Sequence, residues 1–216
     1  MAKILGVQQF LSSKKRSMDF EGAWYDLLGR PATKGSWIIW GASGSGKTSF
    51  ACRLCKYLTR FGRVAYNSLE EGDSLSLQRS FEDVNMMEVS GKLVLLDQMP
   101  IEELSGKLAM RKSWDIVLVD SIQYTGMSYA QYKKLRQRHP DKLFVFISHA
   151  KGSNPDGKVA ERIMYDSGCK IYIEGFRADA KSRYLDEGQH QKPFVIWKER
   201  ASLYLGDQLD KSNMGE

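Results

Sequence analysis

Eight consecutive residues, Gly41-Ala42-Ser43-Gly44-Ser45-Gly46-Lys47-Thr48, combine the groups needed to hold a chain of phosphates. The glycines let the backbone curl so that successive N–H groups face one anion. A helix starting here adds the positive end of its dipole. Lys47 is long enough to reach the β- and γ-phosphates, and the Thr48 hydroxyl is a ligand for Mg²⁺. Ser49 completes the set of residues expected around the phosphates. The whole stretch fits G-x-x-x-x-G-K-[ST], which points to ATP with Mg²⁺ as the ligand.

A second acid-bearing stretch is Asp115-Ile116-Val117-Leu118-Val119-Asp120-Ser121. An Asp closing a buried strand can hold Mg²⁺ through water, and Asp120 is the candidate. Ser121 follows it, where many ATPases place a catalytic Glu. Two other acids, Glu70 and Glu71, close a different apolar run. Cys52-x-x-Cys55 has no second ligand pair, so we read both as small residues of the helix after the glycine-rich turn. With Cys169 the cysteines number three, which argues against a disulfide framework.

These residues need strands to carry them. Trp37–Trp40, Val64–Leu69, Leu93–Leu96, Asp115–Asp120 and Leu143–Ser148 are apolar runs of strand length. Thr48–Phe61, Ser74–Val84, Pro100–Lys112 and Tyr129–Arg138 have helical spacing, and Glu21–Leu28 suits a short helix stopped by Gly29. Later strands are expected at Lys170–Glu174, Phe194–Lys198 and Ser202–Leu205. Aliphatic strands alternating with helices imply an α/β fold with a mostly parallel central sheet covered on both faces, and antiparallel strands at the C-terminal end. Ligands of such sheets bind at the carboxyl ends of the strands, where these motifs fall.

Hydrophobic residues make up 42% of the 216-residue chain and charged residues 27%, enough for one sizeable core. No apolar run approaches the ~18 residues of a membrane span. The N-terminus lacks an apolar signal region, so a cytoplasmic location is expected. The net charge of +6 is compatible with a polyanionic partner without requiring one. The basic helix Tyr129–Arg138 and the Lys14-Lys15-Arg16 cluster read as solvated surface, and Trp24 and Trp37 as core. Lys151–Lys158 is rich in Gly, Asn and Pro and reads as a mobile loop; Arg177–Lys192 reads as a polar inserted hairpin or loop.

In order along the chain, these motifs resemble the RecA-type P-loop ATPases, particularly the RadA/Sms repair ATPase and the DnaB-type replicative helicase. Val119-Asp120-Ser121-Ile122-Gln123 is similar to the RadA form of the metal-site strand, and Ser68-Leu69-Glu70-Glu71 to the DnaB form of the second strand end. The resemblance implies that Glu70 polarises the attacking water, with Glu71 as the fallback. Phe146-Ile147-Ser148-His149-Ala150-Lys151-Gly152 resembles the strand end whose polar residue, His149 here, senses the γ-phosphate. The loop after it implies contacts of Lys151 and Lys158 with single-stranded DNA. Lys198-Glu199-Arg200 resembles the paired bases that reach a neighbouring subunit's ATP, although Ala201-Ser202 replace the usual glycine.

The resemblance spans residues 36–206, with residues 1–35 as an N-terminal extension packing on or between cores and 207–216 as a flexible tail. The chain has no four cysteines like those of the RadA zinc element, and its 216 residues are expected to leave no room for the protease-like domain of RadA or the primase-binding domain of DnaB. A bare core of this kind resembles the recombination ATPases of phages and mobile elements. It implies an ATPase acting on single-stranded DNA in recombination, repair or replication, as a ring or filament with sites at subunit interfaces. The alternative is a nucleotide-dependent switch for a protein partner, a role that KaiC-like relatives show the fold can serve. A small-molecule kinase is a third reading, opposed by Glu70 and by the lack of a substrate lid.

Overall fold

The computed structural model describes residues 4–206. The tail expected at residues 207–216 lies outside the described residues. The chain opens with α1 (Val7–Ser12) and α2 (Gly22–Leu28). An alternating core follows: β1 (Gly35–Gly41), α3 (Lys47–Leu58), β2 (Val64–Ser68), α4 (Leu75–Asp83), β3 (Leu93–Asp97), α5 (Ile101–Leu108) and β4 (Ile116–Asp120). Then come α6 (Tyr129–Arg138), β5 (Leu143–Lys151), β6 (Asn154–Pro155), α7 (Lys158–Asp166), β7 (Cys169–Glu174), β8 (Arg177–Ser182), β9 (Phe194–Val195) and α8 (Lys198–Leu205).

The sheet runs β3-β2-β4-β5-β1-β7-β8-β9, with β6 paired to β5 alone. Strands β3 through β7 in that order are parallel, whereas β8 and β9 are antiparallel additions. Both faces are buried, and the side chains sort by alternation. Trp37, Ile39, Tyr66, Leu118 and Val145 pack on one side with α3 through Phe50 and Leu54. Ile38, Trp40, Ala65, Val119 and Phe146 pack on the other with Leu104, Tyr132 and Ile163 of α5, α6 and α7. That two-residue period, with both sets apolar, is why the strands read as continuous aliphatic runs.

Residues from Met18 onward belong to this core: Met18, Phe20, Leu27 and Leu28 are all buried. Trp37 is fully buried and Trp24 packs against the core, and all three cysteines are buried and free.

Three local readings change. The strand foreseen at Phe194–Lys198 stops at Val195, and Lys198–Leu205 is helix α8, which also takes in the foreseen strand at Ser202–Leu205. Lys, Glu, Arg, Ala and Leu favour helix, and Ala201 is buried where its N–H bonds Trp197 O at 2.9 Å. Lys151–Lys158 is not an open loop. It is a tight hairpin, Ala150 opposite Pro155 and Lys151 opposite Asn154, with α7 starting at Lys158. The Trp40 indole holds its tip by donating to Ser153 O at 3.0 Å.

Arg177–Lys192 begins as strand β8 paired along β7, and its polar remainder fastens α2. Ser182 Oγ donates to Leu28 O at 2.7 Å, and Gln189 Nε2 donates to Tyr25 O at 2.7 Å. The first takes up a carbonyl that the helix end leaves unpaired, Gln191 Nε2 does the same for Leu27 O at 2.5 Å, and the second joins the Gly29 N–H already on Tyr25 O. The polarity that disguised the segment is what this docking uses.

Candidate nucleotide-binding site

The parallel register aligns the chemistry-bearing residues along one sheet edge. Gly41 lies opposite His149 and Ser68 opposite Asp120. Leu69 N–H and Glu70 N–H both donate to Asp120 O, at 2.6 and 3.1 Å, so the exits of β2 and β4 are pinned together.

Gly41 leaves β1 with no room for a side chain, because a Cβ there would strike Ile173 O and stand 2.7 Å from Ser45 Oγ. Gly44 and Gly46 take φ values of +72° and +101°, the left-handed region glycine favours. Gly46 caps α3, whose first residues are Lys47, Thr48 and Ser49. Ala42, Ser43 and Gly44 are exposed at the turn's crest. The turn is therefore a cradle of N–H groups ahead of a helix N-terminus, the arrangement that binds phosphate. Ser45 Oγ is buried with no protein partner, one of only three such side-chain atoms among the described residues. Buried polar atoms are nearly always satisfied, so this hydroxyl fits a site built for a polar ligand.

Lys47 Nζ donates to Ala42 O at 2.8 Å, which folds the side chain over the turn. Burial lowers its pKa, while the charges of Asp120 and Glu70 oppose that fall. The lysine, the β4 acid and the β2 acid thus share one electrostatic site. Burial raises Asp120 to about 6 against the pull of its hydrogen bond from the Tyr66 hydroxyl, with Glu70 and Glu71 pushing it further up and Lys47 down. An acid shielded this way beside other carboxylates favours a cation. The Thr48 hydroxyl at the α3 start and the Asp120 carboxylate are the oxygen donors suited to Mg²⁺, which takes one or two protein ligands and keeps water on the rest.

Glu70 and Glu71 separate here. Glu70 Oε2 lies 3.2 Å from His149 Nε2. The Glu71 carboxylate instead accepts hydrogen bonds from Ser74, at 3.1 Å, and Ser76 in the turn before α4.

Gln123, quoted only as part of a sequence resemblance, turns out to be a clamp. Its Nε2 donates to Ser148 Oγ at 2.8 Å and Asp156 O at 2.9 Å, and its Oε1 accepts from His149 N at 3.4 Å. Asp156 N–H donates to His149 O at 2.8 Å. Partners 25 and 33 positions away leave no periodic trace in sequence.

The remaining candidates lie apart from this group. Lys198 lines a cavity of about 420 Å³ with Ser49 and Arg53, beside the first turns of α3. The Arg200 guanidinium stacks over Trp197 at 4.2 Å and Phe176 at 5.2 Å. Phe176 N–H donates to Ser45 O at 3.0 Å, so this aromatic group leans on the glycine-rich turn. Both bases sit in the first turn of α8 rather than at a strand end. Lys151 and Lys158 are exposed, one in the hairpin and one at the start of α7.

No family model matches the chain, and no curated protein matches it either. Solved structures do. The flagellar accessory protein FlaH of Methanocaldococcus jannaschii superposes with a TM-score of 0.57 at 17% identity, over 83% of this chain and 93% of that one. A KaiC-like protein from the hyperthermophilic archaeon Pyrococcus horikoshii OT3 gives 0.56 at 14% identity, with the same coverage of each chain. No helix among the described residues is long and apolar enough to cross a membrane. The order of the sheet and these two likenesses together establish a RecA-like α/β fold, with a mostly parallel central sheet and antiparallel strands at its C-terminal end.

Proposed function

We propose that this chain hydrolyses ATP and uses the cycle to act on single-stranded DNA, as a ring or filament. The observation that carries the hydrolytic part is the Glu70–His149 contact beside Lys47 and Asp120. Glu70 is the general base: it orients a water for attack on the γ-phosphorus and accepts its proton as the new P–O bond forms and the bond to the leaving ADP breaks. Lys47 and the N–H groups of residues 41–48 stabilise charge on the phosphate oxygens. Thr48 and Asp120 would hold Mg²⁺, which would supply positive charge against the phosphate oxygens. His149 holds the Glu70 carboxylate and joins it, through Gln123, to the hairpin that carries Lys151. Lys151 and Lys158 then meet the DNA backbone without regard to sequence. Arg200 and Lys198 act on the ATP of the next subunit.

A nucleotide switch for a protein partner is the second reading. What favours it is that two similar folds carry the names of a flagellar accessory protein and a KaiC-like protein. ATP hydrolysis with and without single-stranded DNA, across salt, separates the two, with Glu70→Gln as the blank. Stimulation that fades with salt supports the DNA reading; hydrolysis indifferent to DNA overturns it in favour of the protein switch.

A further inference from the structure

The candidate nucleotide site occupies the carboxyl ends of the parallel strands, and a second gathering of charge lies at their amino ends. Val64 stands opposite Ile116, and Ile116 opposite Leu143, so β2, β4 and β5 begin side by side. The residues that lead into them join the turn after α5 and the end of α6 around a cavity of about 550 Å³. Four bases line it, Arg63, Lys112, Arg138 and Lys142, against two acids, Asp115 and Asp141.

Both acids already have partners. Asp115 Oδ2 accepts from Arg63 N–H at 2.9 Å, and Asp141 Oδ2 stands 3.4 Å from Lys142 Nζ. The bases are less well matched. The Lys142 side chain is only 10% exposed, and its one acid among the described residues is itself 71% exposed. A buried ammonium is costly unless its charge is met, and a solvent-facing carboxylate at that distance meets it only in part. Among the described residues Lys112 and Arg138 have no acid within ion-pair distance. Arg63 Nη2 donates to Ser113 O at 2.6 Å, which fixes the guanidinium at the wall with further N–H donors to spare.

Arg138 lies in the last turn of α6, where a base also offsets the helix dipole. Arg63, Lys112 and Lys142 lie outside the helices, so helix ends do not account for the cluster. Lys112 takes φ +62°, the left-handed region that such a residue seldom adopts. Lys134 and Arg138, one turn apart on α6, also line an adjoining cavity of about 450 Å³ that has one acid, Glu102. The positive surface thus continues along α6.

We propose that the cavity at the amino ends of β2, β4 and β5 is a second anion site, which binds a phosphate group. The planar forks of Arg63 and Arg138 suit phosphate oxygens, while Lys112 and Lys142 act as point charges. A lone carboxylate leaves most of the excess charge unmet. A phosphate monoester meets it, as do successive backbone phosphates laid along α6. The site is remote from Lys47 and stands apart from the hydrolytic reading.

The test is residue-resolved NMR of the isotope-labelled, nucleotide-free full chain. Inorganic phosphate is titrated against chloride at equal ionic strength, and a short oligodeoxythymidine is titrated separately. Amides of residues 110–115 and 138–142 shift saturably, apart from any response of residues 41–48. Arg138→Gln and, separately, Lys142→Gln weaken that binding at least about tenfold and leave the response of 41–48 unchanged. Arg138 is exposed, so its variant folds, which far-UV circular dichroism checks for both. Saturation by the oligonucleotide names a nucleic-acid backbone as the source of the phosphate. Saturation by phosphate alone names a free phosphorylated molecule. Failure of both probes to saturate these amides overturns the proposal. So do shifts that chloride reproduces, or binding that both variants leave unchanged.

Discussion

His149 Nε2 stands 3.2 Å from Glu70 Oε2, joining the end of β5 to the acid that leaves β2. The two residues are 79 positions apart, and the parallel register of β2, β4 and β5 is what brings them together. Glu71, one residue on, points its carboxylate into a serine-lined turn instead.

That difference makes the two glutamates separable. Glu70→Gln should retain nucleotide binding and lose about 10²-fold or more in turnover, the usual scale for a general base. Glu71→Gln should stay near wild-type turnover and lose only the serine contacts before α4. Calorimetric nucleotide binding alongside steady-state hydrolysis checks both; full activity in Glu70→Gln would remove it from the mechanism.

Arg200 stacks on Trp197 and Phe176 within its own chain, at the rim of the glycine-rich turn. Arg200→Ala should bind ATP and hydrolyse it poorly, by a factor reaching about 10³ if the guanidinium meets transferring phosphate. Doping the variant into wild type should depress activity non-linearly under the proposal that each active site draws the arginine from its neighbour. A linear response would restrict Arg200 to its aromatic stack.

Gln123 binds Ser148, Asp156 and the His149 backbone at once. Removing it in Gln123→Ala leaves the hairpin tied by Trp40 and its own short ladder. Amide exchange at residues 148–156 should accelerate while exchange in β1 and β4 is unchanged. Uniform exchange in the variant would mean that the clamp carries no local stability.

His139, at the end of α6, is buried, and its Nε2 lies 2.9 Å from Ser105 Oγ. Burial first, and then the charge of Arg138, lower its pKa below the ordinary 6.5; Lys142 adds to the fall, and Asp141 opposes it. The unfolded chain therefore takes up the proton before the folded one does. Stability should fall as pH drops through about 6.5 and below, since protonation favours the unfolded state. Urea melts across that range, compared with His139→Gln, check the sign: the variant should lose less stability on acidification than wild type.

The glycine-rich turn was legible because its chemistry is local: eight neighbouring residues supply glycine freedom, a cation and a hydroxyl with no help from the rest of the chain. The buried strands were legible for a similar reason, since a strand covered on both faces must be apolar at every position. Helix α7 left a weaker mark, with Val159, Ala160, Ile163 and Met164 at helical spacing beneath a polar, glycine-rich approach. Strand β8 left almost none, because Arg177, Asp179 and Lys181 occupy it at the side of the sheet where β9 is only two residues long.

Composition and spacing thus determined the glycine-rich turn, the alternation of strands and helices, and the acid at the end of β4. Tertiary structure alone decided which glutamate faces His149 and that Gln123 gathers the hairpin. Those outcomes depend on partners tens of residues apart, brought within hydrogen-bond reach by sheet register. Register is set by the packing of the whole core, and no short stretch of sequence contains it.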